Sequence, residues 1–246
     1  MFGIPTVQRS NAYYIIETIN SLLSNIKPVQ QKDIIIAIFI AETNISYRHK
    51  VTKDIQKQFP LALSNGIIMI IEPNYSFYPS FKRIPLLFGD KPARVQWRSK
   101  QALDYSFLYY QCKDLAEYFV QLEDDIVAVS NYLDIMKDFV KQHQKERWSV
   151  LEFGSRGFIG MMYKSKHLPA LARFVRFFFW TMPVDWLFRA FNDIFLYRNS
   201  KRFKMDPPVF KHVGKISSLN GQFRRLEDLE VKKTPQVSIK LRKRQS

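Results

Sequence analysis

The sequence predicts an α/β sandwich built around a mostly parallel central sheet, and three observations carry that expectation. Short β-branched apolar runs alternate with amphipathic stretches through the first half of the chain. The run from Ile34 to Ala41 is apolar throughout, as a strand covered on both faces must be. No linker divides the first 225 residues, so they form one domain. With 46% hydrophobic residues among 246, the chain can bury a sizeable interior. Its 21 Phe, within an aromatic content of 15%, exclude intrinsic disorder as its general state.

Taken in order, Phe2 to Val7 reads as a short strand. Ala12 to Leu23 reads as a helix whose Ile15, Ile16, Ile19, Leu22 and Leu23 face inward. Ile34 to Ala41 is the doubly buried strand, Val51 to Phe59 a helix, and Gly66 opens a further strand over Ile67 to Ile71. A Pro- and aromatic-rich loop runs from Pro73 to Pro92. Ser99 to Cys112 is then helical, and Tyr118 to Leu122 is a strand entering an acidic turn. This β-α-β-α-β-α-β order implies parallel strands joined by right-handed crossovers, a sandwich of Rossmann type. Beyond the turn, Asn131 to Gln144 is helical and Trp148 to Phe153 a strand. Gly154, Gly157 and Gly160 break up a loop, and Leu168 to Trp180 and Val184 to Arg189 are helical. From Glu230 the hydrophobic periodicity fades. The expected organisation is one domain over residues 1–229 and a basic, disordered tail over 230–246.

The formal charge of +16, from 38 Lys and Arg against 22 Asp and Glu, first suggests a nucleic-acid partner. The basic residues are instead spread along the chain, with one dense cluster at Lys240, Arg242, Lys243 and Arg244. No zinc finger, helix-turn-helix or aromatic RNA-binding signature accompanies them, so no nucleic-acid partner is expected. A single cysteine, Cys112, excludes a disulfide scaffold and a zinc site built on cysteine pairs. The longest strongly apolar run is too short for a bilayer, which needs about 20 residues. Arg173 and Arg176 interrupt the next candidate. No membrane span and no signal peptide are expected in this chain.

The sharpest local feature is Gln121-Leu122-Glu123-Asp124-Asp125-Ile126, three adjacent carboxylates at the end of a predicted parallel strand. Ligands of open α/β sheets bind at that end of the strands. In an extended chain, Glu123 and Asp125 fall on one side and Asp124 on the other. Clustered negative charges repel one another unless a cation or hydrogen-bond donors compensate, and a hard divalent ion with oxygen ligands is a natural compensator. The plainer reading is a solvated acidic turn, or one that caps the following helix.

Seven segments occur in register over residues 2 to 229: Gly3-Ile4-Pro5-Thr6-Val7, Arg94-Val95-Gln96-Trp97-Arg98-Ser99-Lys100-Gln101, Leu103-Asp104-Tyr105, the Gln121–Ile126 segment, Gly157-Phe158-Ile159-Gly160, Val184-Asp185-Trp186-Leu187 and Phe210-Lys211-His212-Val213-Gly214. Together they resemble the N-acetylglucosaminyltransferase IV family, the alpha-1,3-mannosyl-glycoprotein 4-beta-N-acetylglucosaminyltransferases. That resemblance implies a GT-A-type glycosyltransferase fold. It also implies an inverting, metal-assisted transfer of N-acetylglucosamine from UDP-N-acetylglucosamine to a mannose of the N-glycan core. The implied cofactor is a divalent metal, Mn2+, and the implied acceptor is an N-glycan or glycoprotein.

The resemblance also distributes roles. Glu123, Asp124 and Asp125 correspond to a DXD-type motif, with Asp125 the direct metal ligand and Asp124 near the ribose or diphosphate. Thr6 and Arg9 line the nucleotide pocket at the end of the first strand, and Lys100 and Asp104 fall where donor contacts are expected. Asp185 is the candidate general base, with Trp186 beside it as an apolar platform for a sugar ring; without the resemblance, Asp185 reads as a helix N-cap. His212 is a further metal ligand, whereas His49, His143 and His167 read as ordinary surface residues. Two sequons, Asn44-Ile45-Ser46 and Asn74-Tyr75-Ser76, fit a secretory-pathway protein.

The chain departs from the family at named places. Ala102 stands where relatives carry Asn, and Gly154-Ser155-Arg156 stands where they carry Ser-Gln-Leu. The segment Asn192 to Pro208 is shortened, and the family's anchor, stem and lectin-like domain are not expected within these residues, as in a fragment or short isoform of a longer protein. These departures support a second reading, a non-catalytic member that regulates other Golgi glycosyltransferases by association. The expected location is the Golgi lumen by resemblance, or the cytoplasm if the sequence is complete.

Overall fold

The apolar run predicted to be doubly buried is strand β2 (Ile36–Ile40), and every one of its residues is buried. In the computed structural model, which describes residues 1–155, 158–195 and 201–215, Ile36, Ile38 and Ile40 enter one apolar core while Ala37 and Phe39 enter another. That split is the period-two alternation of an extended chain. Strands β1 (Phe2–Thr6) and β3 (Ile68–Ile71) pair parallel to β2 on its two sides, and β4 (Tyr118–Gln121) pairs parallel to the far edge of β1. Helices α1 (Ile15–Ser24), α2 (Ile45–Gln58), α3 (Pro60–Ser64) and α4 (Pro92–Cys112) occupy the crossovers. The expected β-α-β-α-β-α-β half is therefore present.

The second half adds β5 (Ile126–Ala128), α5 (Tyr132–Gln142), β6 (Trp148–Glu152), β7 (Met161–Lys164), α6 (Leu168–Phe178), α7 (Val184–Phe195), β8 (Lys201–Lys204) and β9 (Phe210–His212). Among the described residues the main sheet runs β3-β2-β1-β4-β7-β6-β8, and β5 and β9 form a separate antiparallel pair. Only β7 breaks the parallel pattern, running against both β4 and β6. The first core lies under α1, α2 and α5, and the second under α4, α6 and α7. Gly3 makes part of the second core possible, because a Cβ there would collide with the ring of Phe119, itself completely buried. No helix among the described residues is long and apolar enough to cross a membrane.

Several boundaries differ from the sequence reading. Helix α4 begins at Pro92 rather than Ser99. Proline suits a first helical position, where its missing N–H costs nothing. Asp90, just before the helix, draws in Arg94 (2.9 Å) and Arg98 (3.2 Å). Helix α2 begins at Ile45 rather than Val51 because Asn44 caps it, its side-chain oxygen accepting from the Tyr47 N–H at 3.3 Å. The first sequon asparagine is thus a helix cap. The Asn74 carboxamide likewise accepts from the Ser76 N–H, at the start of a 3-10 turn. Strand β7 lies where a glycine loop was expected to continue, and β5, β8 and β9 were not anticipated. The predicted tail, Arg156 and Gly157 lie outside the described residues.

The strand order reverses between β1 and β4, with β2 following on one side of β1 and β4 on the other. A crevice opens at such a switch point, outside the carboxyl ends of the strands. Thr6 ends β1 there, and the carboxylate triplet follows β4.

Candidate active site

Thr6 and Asp124 meet across the switch point, the Thr6 hydroxyl donating to Asp124 Oδ2 at 2.7 Å. Arg9, in the loop after β1, grips the same carboxylate with both ends of its guanidinium. Nη1 donates to Oδ2 and Nη2 to Oδ1, each at 2.7 Å. This two-point geometry is the strongest a guanidinium makes with a carboxylate. The pair is almost shielded from water, with side chains 8% and 4% exposed. Burial pushes the Asp124 carboxyl upward, and the hydrogen bonds from Arg9 oppose it. For Arg9, burial works against the cation, but the bonds to Asp124 and the nearby Asp125 and Glu123 charges raise its pKa overall.

The turn is pinned from below by Thr18, a residue the sequence reading passed over. Its hydroxyl donates to the Asp124 carbonyl (2.7 Å) and accepts from the Ile126 N–H (3.1 Å). The available signal was a threonine on the buried face of α1, between Ile15 and Ile19.

The acidic segment is not extended as expected: Asp124 and Asp125 sit in a bend between β4 and β5, and all three carboxylates line one cavity rather than falling on two sides. His212 joins Glu123 and Asp125, one donor atom from each of the three lying within 4.8 Å of the others, and Arg9 Nη2 also stands 3.7 Å from Asp125 Oδ2. His212 Nε2 is 3.1 Å from Asp125 Oδ2 and 3.8 Å from Glu123 Oε2. The imidazole arrives on β9, whose antiparallel register sets His212 opposite Ile126. The Val213 N–H donates to the Asp125 carbonyl at 2.9 Å, and Gly214 follows against the carboxylate, where a Cβ would collide with Oδ2. Two carboxylates and one imidazole form a donor set that suits a divalent first-row ion such as Mn2+.

Lys100 and Asp104 sit one turn apart on α4. Lys100 Nζ donates to Asp104 Oδ2 (2.8 Å) and to the Ala41 carbonyl (2.7 Å), while the Tyr78 hydroxyl donates to Asp104 Oδ1 (2.6 Å). Burial pushes the Asp104 carboxyl up to about 6, although Lys100 and Tyr78 oppose the shift. Asp104 and the acidic triplet line one cavity of about 90 Å³, together with Arg9, Trp97 and Gln101. Ala102, which stands where relatives carry Asn, lies in the second apolar core.

Asp185 does not line that cavity. It is exposed, in the first turn of α7. The Trp186 and Leu187 N–H groups both donate to the Pro183 carbonyl, at 3.0 and 3.1 Å, so the helix opens from Pro183 and Asp185 is not its cap. Of the remaining histidines, His49 is exposed. His167 is half-buried, with its pKa lowered by burial. His143 departs from the surface reading, packing against the rings of Phe139 and Phe203.

Fold and site together define a class, a GT-A-type glycosyltransferase domain with its acidic motif at the switch point of the sheet. Among solved structures it is similar to the mannosyltransferase PcManGT from Pyrobaculum calidifontis, determined in complex with GDP-Man and Mn2+. The TM-score is 0.52 at 10% identity, over 89% of this chain and 58% of that one. The family model described as the MGAT4 conserved region matches residues 1–231, and the chain belongs to that family. Its curated relatives include the human alpha-1,3-mannosyl-glycoprotein 4-beta-N-acetylglucosaminyltransferase B, 39% identical over 93% of this chain and 44% of the relative. The rat A enzyme is 36% identical over 95% of this chain and 47% of the relative. The chain thus spans about half the length of the curated relatives it matches.

Proposed function

We propose that this domain transfers N-acetylglucosamine from UDP-N-acetylglucosamine, in β-1,4 linkage, to a core α-1,3-mannose of N-glycans, with inversion at the anomeric carbon. The observation that carries the reading is the convergence of Glu123, Asp125 and His212 at the switch point of a GT-A-type sheet. The names of the relatives supply the donor sugar and the acceptor. On this reading the domain works on glycoproteins in the Golgi lumen, alongside other glycosyltransferases of that compartment.

Asp125 and His212, with Glu123, would hold Mn2+. Bound there, the ion supplies Lewis-acid stabilisation for negative charge gathering on the departing diphosphate. Arg9 is a second positive group facing that charge. Asp124 has both oxygens committed to Arg9, so it acts by orienting the guanidinium. Asp104 lines the same cavity as part of the donor-side wall, and Lys100 acts through it as its ion-pair partner. Asp185 takes the proton from the attacking mannose hydroxyl as that oxygen bonds to the anomeric carbon and the bond to UDP breaks.

The test is calorimetric binding of UDP with and without Mn2+, followed by transfer from UDP-N-acetylglucosamine to a biantennary N-glycan. The expected result is Mn2+-dependent UDP binding that Asp125→Asn abolishes, and turnover that Asp185→Asn abolishes while UDP binding persists. UDP binding without transfer would favour the regulatory, non-catalytic reading. No UDP binding in the presence of Mn2+ would overturn the donor site.

A further inference from the structure

We infer that Phe88 and Trp186 form an aromatic clamp for a sugar ring of the acceptor glycan, with Arg98 as the positioning residue that holds the clamp in shape. The inference rests on the transferase reading above and extends it to an acceptor-binding element. Phe88 is 61% exposed and Trp186 50% exposed, yet the two rings are fixed edge to face, with centroids 5.4 Å apart and planes at 78°. Two large aromatics ordered against each other at the surface form an apolar contact face that no neighbouring element covers.

The backbone at Phe88 points the same way. Its φ is +61°, followed by +67° at Gly89. A bulky residue in the left-handed region is an outlier, sustained only where the surroundings over-determine it, and such residues gather at ligand clamps.

The surroundings are built around Arg98, 1% exposed on α4. Its Nε lies 3.2 Å from Asp90, two residues beyond Phe88, and its Nη1 donates to the Trp180 carbonyl at 3.1 Å. Its guanidinium carbon stands 5.8 Å from the centre of the Phe88 ring. Arg98 therefore ties the Phe88 loop to the segment that leads into α7 and Trp186. Nη2 has no hydrogen-bond partner among the described residues. A buried cation so incompletely paired is costly, and filling space alone would not require one.

The occupant follows from the chemistry. The C–H face of a pyranose lies flat on an aromatic ring, and its hydroxyls stay free at the rim. Trp186 and Asp185 share the exposed first turn of α7, so the clamp and the proposed base belong to the same short stretch of surface. On α4, Trp97 of the donor-side cavity directly precedes Arg98, which links the two regions through one helix.

The experiment titrates a biantennary N-glycan into the full chain by saturation-transfer NMR, with a parallel calorimetric titration of UDP and Mn2+. The variants are Phe88→Gly, Arg98→Met and Arg98→Lys. Glycine is at ease at the φ of Phe88, so Phe88→Gly removes the ring without forcing the loop to rearrange. Glycan affinity is expected to fall about three- to tenfold in Phe88→Gly, the scale of one lost aromatic contact. Arg98→Met is expected to fall similarly and Arg98→Lys to recover part of the loss, with UDP affinity unchanged in all three. Where turnover is measured, KM for the glycan rises while KM for the donor does not. Unchanged glycan affinity in Phe88→Gly, or no glycan binding by the wild-type chain, overturns the clamp. Loss of UDP binding in the wild type strikes the donor-site reading instead, and the glycan titration still decides the clamp.

Discussion

Gly214 backs directly onto Asp125, so closely that any Cβ there would overlap the carboxylate Oδ2. Gly214→Ala is therefore expected to displace the proposed metal ligand without touching a charge. Supporting residues around a metal typically contribute about ten- to a hundredfold in affinity. Mn2+-dependent UDP binding should weaken by about that factor, measured calorimetrically. Unchanged affinity would mean that Asp125 does not ligate the ion.

The Arg9–Asp124 pair should behave as a buried ion pair. Removing one partner strands the other in low dielectric at about 3–5 kcal/mol. Arg9→Met is expected to destabilise the domain by an amount in that range in denaturant titrations. The double change Arg9→Met with Asp124→Leu should recover part of the loss in stability, because neither partner of the two-point pair is left alone, while Asp125, 3.7 Å from Arg9, still loses its neighbouring cation. Recovery of stability without recovery of UDP binding would separate the structural role of the pair from its functional one.

Asp104 gives a pH signature of definite sign. Its carboxyl is raised from 3.8 to about 6 in the folded state, so between those values the native chain binds more protons than the unfolded one. Stability then falls as pH rises through that window, by on the order of 2–3 kcal/mol for a shift of this size. Asp104→Asn should flatten the profile between about pH 4 and 6, read as Tm against pH. A variant profile parallel to the wild type would show that Asp104 is not the group responsible.

A control for fold rather than site lies at the opposite end of β1. Gly3→Ala forces a methyl into the ring of Phe119, and overpacking of this kind costs about 1–3 kcal/mol. Phe119→Leu in the same chain should return part of that loss. UDP affinity per folded molecule is expected to stay the same.

The four parallel strands were legible because each is a short apolar run whose two faces meet two cores, and β2 shows it residue by residue. The place of the acidic triplet, at the carboxyl end of β4, was legible for the same reason. The two-sided split expected of it does not occur, because strand alternation stops at Gln121 and the chain bends at Asp124 and Asp125. What brings His212 to them was not legible. That contact depends on two strands of three residues, β5 and β9, too short to carry a periodic signal and paired across 87 positions between Asp125 and His212. Thr18 was hidden in an otherwise apolar helix face. The start of α4 was hidden because its first turn is held by charges on Asp90 rather than by an apolar stripe. Arg98 was visible only as one of many cations, and burial alone distinguishes it.

The pairing of β9 with β5 also orders events during synthesis. Every strand of the main sheet is complete once Lys204 has been made, whereas the imidazole beside Asp125 arrives eight residues later. A nascent chain released just short of Phe210 would possess the sheet and both carboxylates but not the third donor. On the proposed reading, completion of the cation site is thus deferred to nearly the last described segment, and architecture and chemistry mature at different moments on the ribosome.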